Sequence, residues 1–328
     1  MFKDKIAING LGRIGRAVLK IALNNNLKVI AINDPVDTKN LAYLLKYDSV
    51  YGNYDKKIEA KGDFLKIGRR KIQVTHKKDP SQLPWEKMGV DKVVESTGLF
   101  TEKKGAMKHI KAGAEKVLVS APCTNADQTV VLGVNDDKIK KEDRVISNAS
   151  CTTNCLAPVA KVLNDKFGIK KGFMTTIHSY TGSQKLVDGP HKKIRRGRAA
   201  AENIVPTSTG ASKAVEKVLP ELKGRLKGKA IRVPTPTGSI IDFVCQLGKK
   251  VNKDKINQEF SDKANGEMEG ILGYTEKPIV SRDIIKNPHS AIVDGQSTQA
   301  KDNMVKVLAW YDNEWGYSSR MVDLLKKL

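Results

Sequence analysis

The sequence predicts an α/β fold, and three observations near its start carry that expectation. A short apolar run, Lys5-Ile6-Ala7-Ile8-Asn9, leads at once into Gly10-Leu11-Gly12-Arg13-Ile14-Gly15. The segment from Arg16 to Asn24 then has helical spacing, with Ile14, Val18 and Ile21 on one face. A second apolar run, Lys28 to Asn33, ends in the acid Asp34. Strand, glycine loop, helix, strand and acid in this order supply the context that a glycine pattern needs to be read as a Rossmann-like dinucleotide-binding unit.

Each part of the loop has a physical task. Gly10 allows the tight turn, Gly12 lets a pyrophosphate approach the backbone, and Gly15 lets helix and strand pack closely. Arg13 and Ile14 open the helix, where free N–H groups and the positive end of the dipole favour phosphate. Asp34 follows Gly15 at close to the roughly 20-residue spacing of an acid that binds ribose hydroxyls. Its charge would repel a 2′-phosphate, which favours NAD over NADP. The alternative is a glycine turn that joins strand and helix without any ligand.

Further strand-like runs are Lys71-Ile72-Gln73-Val74, Lys92 to Ser96, Lys116 to Ser120 and Arg144 to Ser147. Ser96-Thr97-Gly98 and Ser120-Ala121-Pro122 stand at the ends of two of them, where an open α/β sheet binds ligands. Ser120 is therefore a candidate cofactor contact, with ordinary turn chemistry an equal contender.

After the last of these strands comes Ser147-Asn148-Ala149-Ser150-Cys151-Thr152-Thr153-Asn154-Cys155, and 156–167 reads as a helix with an apolar face. Cys151 falls at or near a helix N-terminus, where dipole and N–H groups favour the nucleophilic thiolate. The hydroxyls of Ser150, Thr152 and Thr153 can cap the helix or bind an anion. Cys155, one turn on, reads as buried and structural. The Cys-x-x-x-Cys pair has no second ligand pair at suitable spacing, so no metal is expected. A cysteine nucleophile commonly works with a base remote in sequence. Of the five histidines, His178 is the best placed, because it ends the β-branched run Gly172 to Ile177. From spacing alone, a hydrogen-bonded structural histidine is an equal reading.

Composition bounds the remainder. The chain has 328 residues, 40% hydrophobic and 29% charged, enough for about two domains. No run approaches the roughly 18 apolar residues of a membrane span. Four cysteines are too few for a disulfide framework, which fits a reducing cytoplasm. The formal charge of +22 invites a nucleic-acid reading, but the lysines are spread along the chain. The one dense basic stretch, His191 to Arg198, has no interleaved aromatics, so a solvated basic surface is the plainer account.

The run Ser150-Cys151-Thr152-Thr153-Asn154 resembles the active-site signature of phosphorylating glyceraldehyde-3-phosphate dehydrogenases. Asn9 to Arg16, His178-Ser179-Tyr180-Thr181, Thr207-Ser208-Thr209-Gly210-Ala211, Arg232-Val233-Pro234-Thr235-Pro236 and Trp310 to Ser318 resemble other motifs of that family, in its order. The resemblance covers essentially the whole chain. It implies an NAD-binding domain of residues 1–150 completed by a C-terminal helix, 314–328, and an α+β catalytic domain with a mixed sheet, 151–313. It implies a glycolytic, cytoplasmic homotetramer that acts on glyceraldehyde 3-phosphate and inorganic phosphate. In that reading Cys151 is the nucleophile and His178 assists proton transfer. Thr181, Arg232 and Arg196 hold the substrate phosphate, while Ser150, Thr152, Thr209 and Gly210 bind the attacking phosphate. Asn313 orients the nicotinamide amide. Two departures stand out: Ser183 replaces an acid carried by many bacterial members, and Asp188-Gly189-Pro190 differs from a common Asp-Leu-Pro pattern. The second makes strict exclusion of NADP less secure. The nearest rival is an erythrose-4-phosphate dehydrogenase, which hydrolyses its thioester. RNA binding is an additional role that the basic charge would suit.

Overall fold

The computed structural model describes residues 3–328. Its contacts divide the chain into two units, one of Met1–Val130, Asp137–Ala149 and Ser318–Leu328, the other of Val131–Asp136 and Ser150–Tyr317.

The first unit contains β1 (Lys5–Asn9), α1 (Arg13–Asn24), β2 (Lys28–Asn33), α2 (Thr38–Lys46), β3 (Ile58–Lys61), β4 (Phe64–Ile67) and β5 (Arg70–Thr75). It continues with α3 (Trp85–Met88), β6 (Lys92–Glu95), α4 (Lys103–Lys111), β7 (Lys116–Val119), β8 (Gln128–Thr129) and β9 (Val145–Ser147). The strands form one sheet in the order β3-β4-β5-β2-β1-β6-β7-β9-β8. It is parallel from β5 to β8, and β3, β4 and β5 form an antiparallel meander at its edge. Ile6, Ala7, Ile8, Val93 and Val94 are all fully buried, as central parallel strands covered on both faces require. The chain leaves β1 toward β2 on one side and returns as β6 on the other. That reversal is the topological switch point where open α/β sheets hold ligands.

Helix α1 begins at Arg13, one turn earlier than its apolar spacing indicates, with extended Gly12 as its N-cap. The glycine loop is therefore already helical where a phosphate would meet it.

The second unit contains α5 (Cys151–Phe167), β10 (Ile169–Ser179), β11 (Val205–Thr207), α6 (Ala211–Val218), β12 (Leu226–Val233) and β13 (Ser239–Leu247). Then come α7 (Lys253–Ala264), β14 (Leu272–Thr275), β15 (Ala291–Asp294), β16 (Gln299–Lys301), β17 (Met304–Tyr311) and α8 (Trp315–Lys327), whose residues from Ser318 on belong to the first unit. The sheet runs β11-β12-β10-β13-β17-β15-β14, with β16 paired to β17. It is mixed: β10 lies parallel to β12 and antiparallel to β13. In β13 every second residue is buried, the alternation of a sheet with one face packed on a core. Helix α5 packs on that face against β10, β13, β15 and β17.

Candidate functional site

In the first unit, the ends of β1, β2 and β6 surround a cleft of about 440 Å³ lined by Asn9, Gly10, Gly12, Asn33, Asp34, Lys77, Thr97 and Phe100, among others. Two glycines there are sterically fixed. Gly10 has φ +90°, and a Cβ on it would lie 2.7 Å from the Thr97 nitrogen; a Cβ on Gly15 would lie 2.0 Å from the Gly10 carbonyl oxygen. Gly12, by contrast, faces open space. No side chain caps α1, so its first N–H groups point where an anion would sit. The Asp34 carboxylate accepts from the backbone N–H of Leu11 at 2.8 Å and of Val36 at 3.0 Å, which ties the acid to the glycine loop. These features fit a dinucleotide.

Not every expected cofactor residue serves through its side chain. The Arg13 guanidinium pairs with Asp48 at 2.9 Å and lies over the Tyr51 ring, so Arg13, like Ile14, can meet a phosphate only through its N–H. Ser120 follows β7, donates its N–H to the Glu95 carbonyl and lies outside the lining of this cleft.

In the second unit, Ser150 is the N-cap of α5, and its Oγ accepts from the Thr153 N–H at 3.1 Å. Cys151 is consequently the first residue of the helix, five positions ahead of the apolar face visible in the sequence. His178, near the end of β10, brings Nε2 to 3.5 Å from the Cys151 sulfur. Nδ1 lies 2.7 Å from the Ser179 carbonyl and 2.8 Å from Nη1 of Arg232. That same carbonyl accepts from Arg232 Nη1 at 2.8 Å. Arg232 comes into register with His178 through the parallel pairing of β10 and β12. Two tautomers match these partners. With the proton on Nδ1, donated to Ser179, Nε2 is an acceptor facing the thiol. With the proton on Nε2, Nδ1 accepts from Arg232 and the ring becomes a donor toward the sulfur side.

Burial dominates the electrostatics. It pulls His178 down to about 3, with the Arg232 charge acting in the same direction. It pushes the Cys151 thiol up, against the Arg232 charge and the hydrogen bonds at the helix start that favour the thiolate. Helix position alone suggests a lowered thiol pKa; in the fold, desolvation outweighs it. Cys155 is fully buried, and its thiol points at the Ala309 carbonyl.

Two groups of anion-site candidates surround this pair. Thr181 Oγ1 and Ser183 Oγ are 2.9 Å apart, and Arg196 donates through Nε to Thr207 Oγ1 at 2.9 Å while its Nη1 lies 3.4 Å from Ser183 Oγ. The Arg232 and Arg196 charges both act to lower the His178 pKa. Thr209 and Gly210 stand at the start of α6, Ser150 and Thr152 at the start of α5, and the two helices pack together. The Thr152 hydroxyl bonds Tyr311 OH at 3.0 Å, and that phenol also bonds Thr176 Oγ1 at 2.8 Å. An anion would therefore meet Thr152 through its backbone.

Tyr311 was not singled out from the sequence, although it sits within the quoted run Trp310 to Ser318. Its ring stands edge-on to His178, with centroids 5.9 Å apart. Asn313 is buried, and its Oδ1 accepts from Ser179 Oγ, Ser239 Oγ and the Gly238 N–H. The N–H donor identifies the oxygen, so the amide nitrogen must point away from this set as a donor. Among the described residues no group of three or more His, Cys, Asp or Glu is arranged to hold a metal, and no helix is long and apolar enough to cross a membrane.

Residues 4–103 match the family model described as glyceraldehyde 3-phosphate dehydrogenase, NAD binding domain. Residues 150–313 match the model of the C-terminal domain of the same enzyme. The chain is 56% identical over 323 residues to the glyceraldehyde-3-phosphate dehydrogenase of Priestia megaterium, covering 98% of this chain and 96% of that protein. It is 55% identical to glyceraldehyde-3-phosphate dehydrogenase 1 of Bacillus subtilis over the same shares of both chains, and 53% identical to the Borreliella burgdorferi protein over 99% of each. A glycine-loop cleft suited to NAD, a capped cysteine helix facing a buried histidine, and matches along both units place this chain in the glyceraldehyde-3-phosphate dehydrogenase family.

Proposed function

We propose that this chain oxidises glyceraldehyde 3-phosphate with NAD and inorganic phosphate to 1,3-bisphosphoglycerate. The observation that carries the reading is Cys151 at the capped start of α5 with its sulfur 3.5 Å from His178 Nε2. In the tautomer with Nδ1–H bonded to Ser179, Nε2 takes the thiol proton as sulfur attacks the aldehyde carbon. The helix N–H groups and the protonated ring then stabilise the oxygen anion of the thiohemiacetal. NAD held at the glycine loop would supply the hydride acceptor, and loss of hydride from the thiohemiacetal carbon would leave a thioester on Cys151. Phosphate at the starts of α5 and α6, near Ser150, Thr152, Thr209 and Gly210, attacks that thioester and frees the thiolate. Thr181, Arg196 and Arg232 hold the phosphate of the substrate, where a planar guanidinium grips two oxygens. In the first unit, Gly10, Gly12, Gly15, the N–H groups of Arg13 and Ile14, and Asp34 hold the cofactor. Asn313 is assigned to its nicotinamide amide by family likeness, and Ser120 is a candidate cofactor contact from its place at a strand end.

The same reading makes the protein a cytoplasmic homotetramer with its NAD-binding domain in residues 1–150 and 314–328 and its catalytic domain in 151–313. The basic surface suits anionic substrates, with RNA as a further ligand to be tested by salt-dependent binding that competes with NAD.

The test is NADH formation from glyceraldehyde 3-phosphate, with and without inorganic phosphate, for wild type and Cys151→Ser. Phosphate-dependent turnover that the substitution abolishes is expected. Turnover indifferent to phosphate would point to the hydrolytic erythrose-4-phosphate relative, and no turnover with intact NAD binding would reject the substrate.

A further inference from the structure

Beneath the glycine-loop cleft lies a polar network that the reaction does not use. Glu95 ends β6 with 2% of its surface exposed, and His109 on α4 is fully buried. Glu95 Oε2 accepts from His109 Nε2 at 3.0 Å and from Asn9 Nδ2. Glu95 Oε1 accepts from both the backbone N–H and the hydroxyl of Thr97. Trp85 Nε1 donates to His109 Nδ1 at 3.0 Å, which puts the imidazole proton on Nε2, facing the carboxylate.

The network reaches the cleft at several points. Thr97 Oγ1 accepts from the Leu99 N–H at 3.1 Å, so Glu95 holds Thr97 and Thr97 holds the next turn of the loop. Phe100, two residues further along the chain from Gly98, packs edge-on against His109 at 6.5 Å between ring centroids. Asn9 accepts from Asn33 Nδ2 at 2.7 Å, and Asn33 Oδ1 in turn accepts from the Lys77 N–H at 2.9 Å. Thr97, Leu99, Phe100, Asn9, Asn33 and Lys77 all line the cleft. Burying a carboxyl group has a desolvation cost that its hydrogen bonds must offset, so stability alone is a weak reason to keep Glu95 here. Its four donors define, instead, where the cleft wall stands.

We propose that Glu95 and His109 are positioning residues for the adenosine end of NAD, acting through Thr97, Asn9 and Phe100. The proposal rests on reading this cleft as the NAD site. Neither residue touches the reacting atoms, so they act on cofactor affinity and leave the chemical step alone.

Calorimetric titration of the full protein with NAD and with ADP-ribose tests it. Glu95→Gln keeps the volume but turns an N–H2 toward donors. It is expected to raise Kd for both ligands at least about tenfold, with kcat at saturating NAD and KM for the aldehyde unchanged. His109→Gln can still donate to Glu95 and accept from Trp85, so it should retain wild-type affinity, whereas His109→Leu should lose it. Thr97→Val removes the wall contacts without emptying the core; it is expected to weaken both ligands while the melting temperature holds, and it decides the matter should Glu95→Gln fail to fold. Unchanged Kd in Glu95→Gln and Thr97→Val, with only thermal stability reduced, would overturn the proposal. Gly12→Val lies outside the network and probes the cleft itself: NAD affinity that survives it would instead reject the cleft as the cofactor site.

Discussion

At the scale of single residues, two kinds of role are present. Cys151 and His178 are candidates from residue type and position, one before a helical run and the other at a strand end. Arg232 and Tyr311 acquire meaning only from neighbours brought in by β12 and β17. Arg232 in a linear chain is an arginine before a Pro-rich turn; in the fold it lies 2.8 Å from His178 Nδ1. This arrangement has a consequence for stability. His178 is held at about 3 in the fold, whereas an unfolded histidine titrates near 6.5. Between those values the unfolded chain binds a proton that the native chain does not, so stability rises with pH through that window and is lost as pH falls. Denaturation of wild type and His178→Gln at pH 7, 6 and 5 measures it. The advantage of wild type is expected to shrink on acidification by as much as about 1.4 kcal/mol per pH unit. Parallel pH slopes would mean that His178 carries its proton in the native protein.

At the scale of elements, periodicity located helices better than it located their starts. The apolar face of α5 begins at Leu156, but the helix begins at Cys151, because Ser150 caps it through the Thr153 N–H. Ala149, just before the cap, adopts φ +52° and is buried, so the chain turns sharply into the helix through a left-handed residue without glycine. Ser150→Ala leaves the Thr153 N–H without its side-chain partner and is expected to cost about 1 kcal/mol. Thermal melting would show it, and an unchanged midpoint would mean that the cap contributes nothing. If Ser150 also serves the attacking phosphate, the same variant raises KM for phosphate more than KM for the aldehyde. The β3–β4 hairpin escaped the sequence reading for a physical reason. Its strands are four residues each and carry Glu59, Lys61 and Lys66 at a sheet edge, so no long apolar alternation marks them.

At the scale of the whole molecule, the loop region 180–204 bears on assembly. Leu186, Val187, Ile194 and Ile204 are each at least 70% exposed in the single chain. They are interleaved with Lys185, Lys192, Lys193, Arg195 and Arg198, a mixture that water solvates poorly at the apolar positions and that self-association would cover. Light scattering at physiological salt is expected to report four times the chain mass of 36.1 kDa. A stable monomer under those conditions would remove the tetramer from the reading. The charge of +22 works against association, and that repulsion weakens as salt screens it.

The sequence by itself determined the order of strand, glycine loop and helix, and the family, because these depend on local spacing and on short runs of unusual chemistry; it offered Cys151 and His178 as candidates for nucleophile and base. The family resemblance also implies a C-terminal helix, in which Met321, Val322, Leu324 and Leu325 are fully buried. Only the tertiary structure decided which side chains those residues meet. The Glu95–His109 pair joins positions 14 residues apart and the Thr152–Tyr311 contact positions 159 apart, separations that no periodicity reports. The thiol pKa belongs to the same class. Helix position argues for lowering it, and burial, a property of the packed molecule alone, raises it.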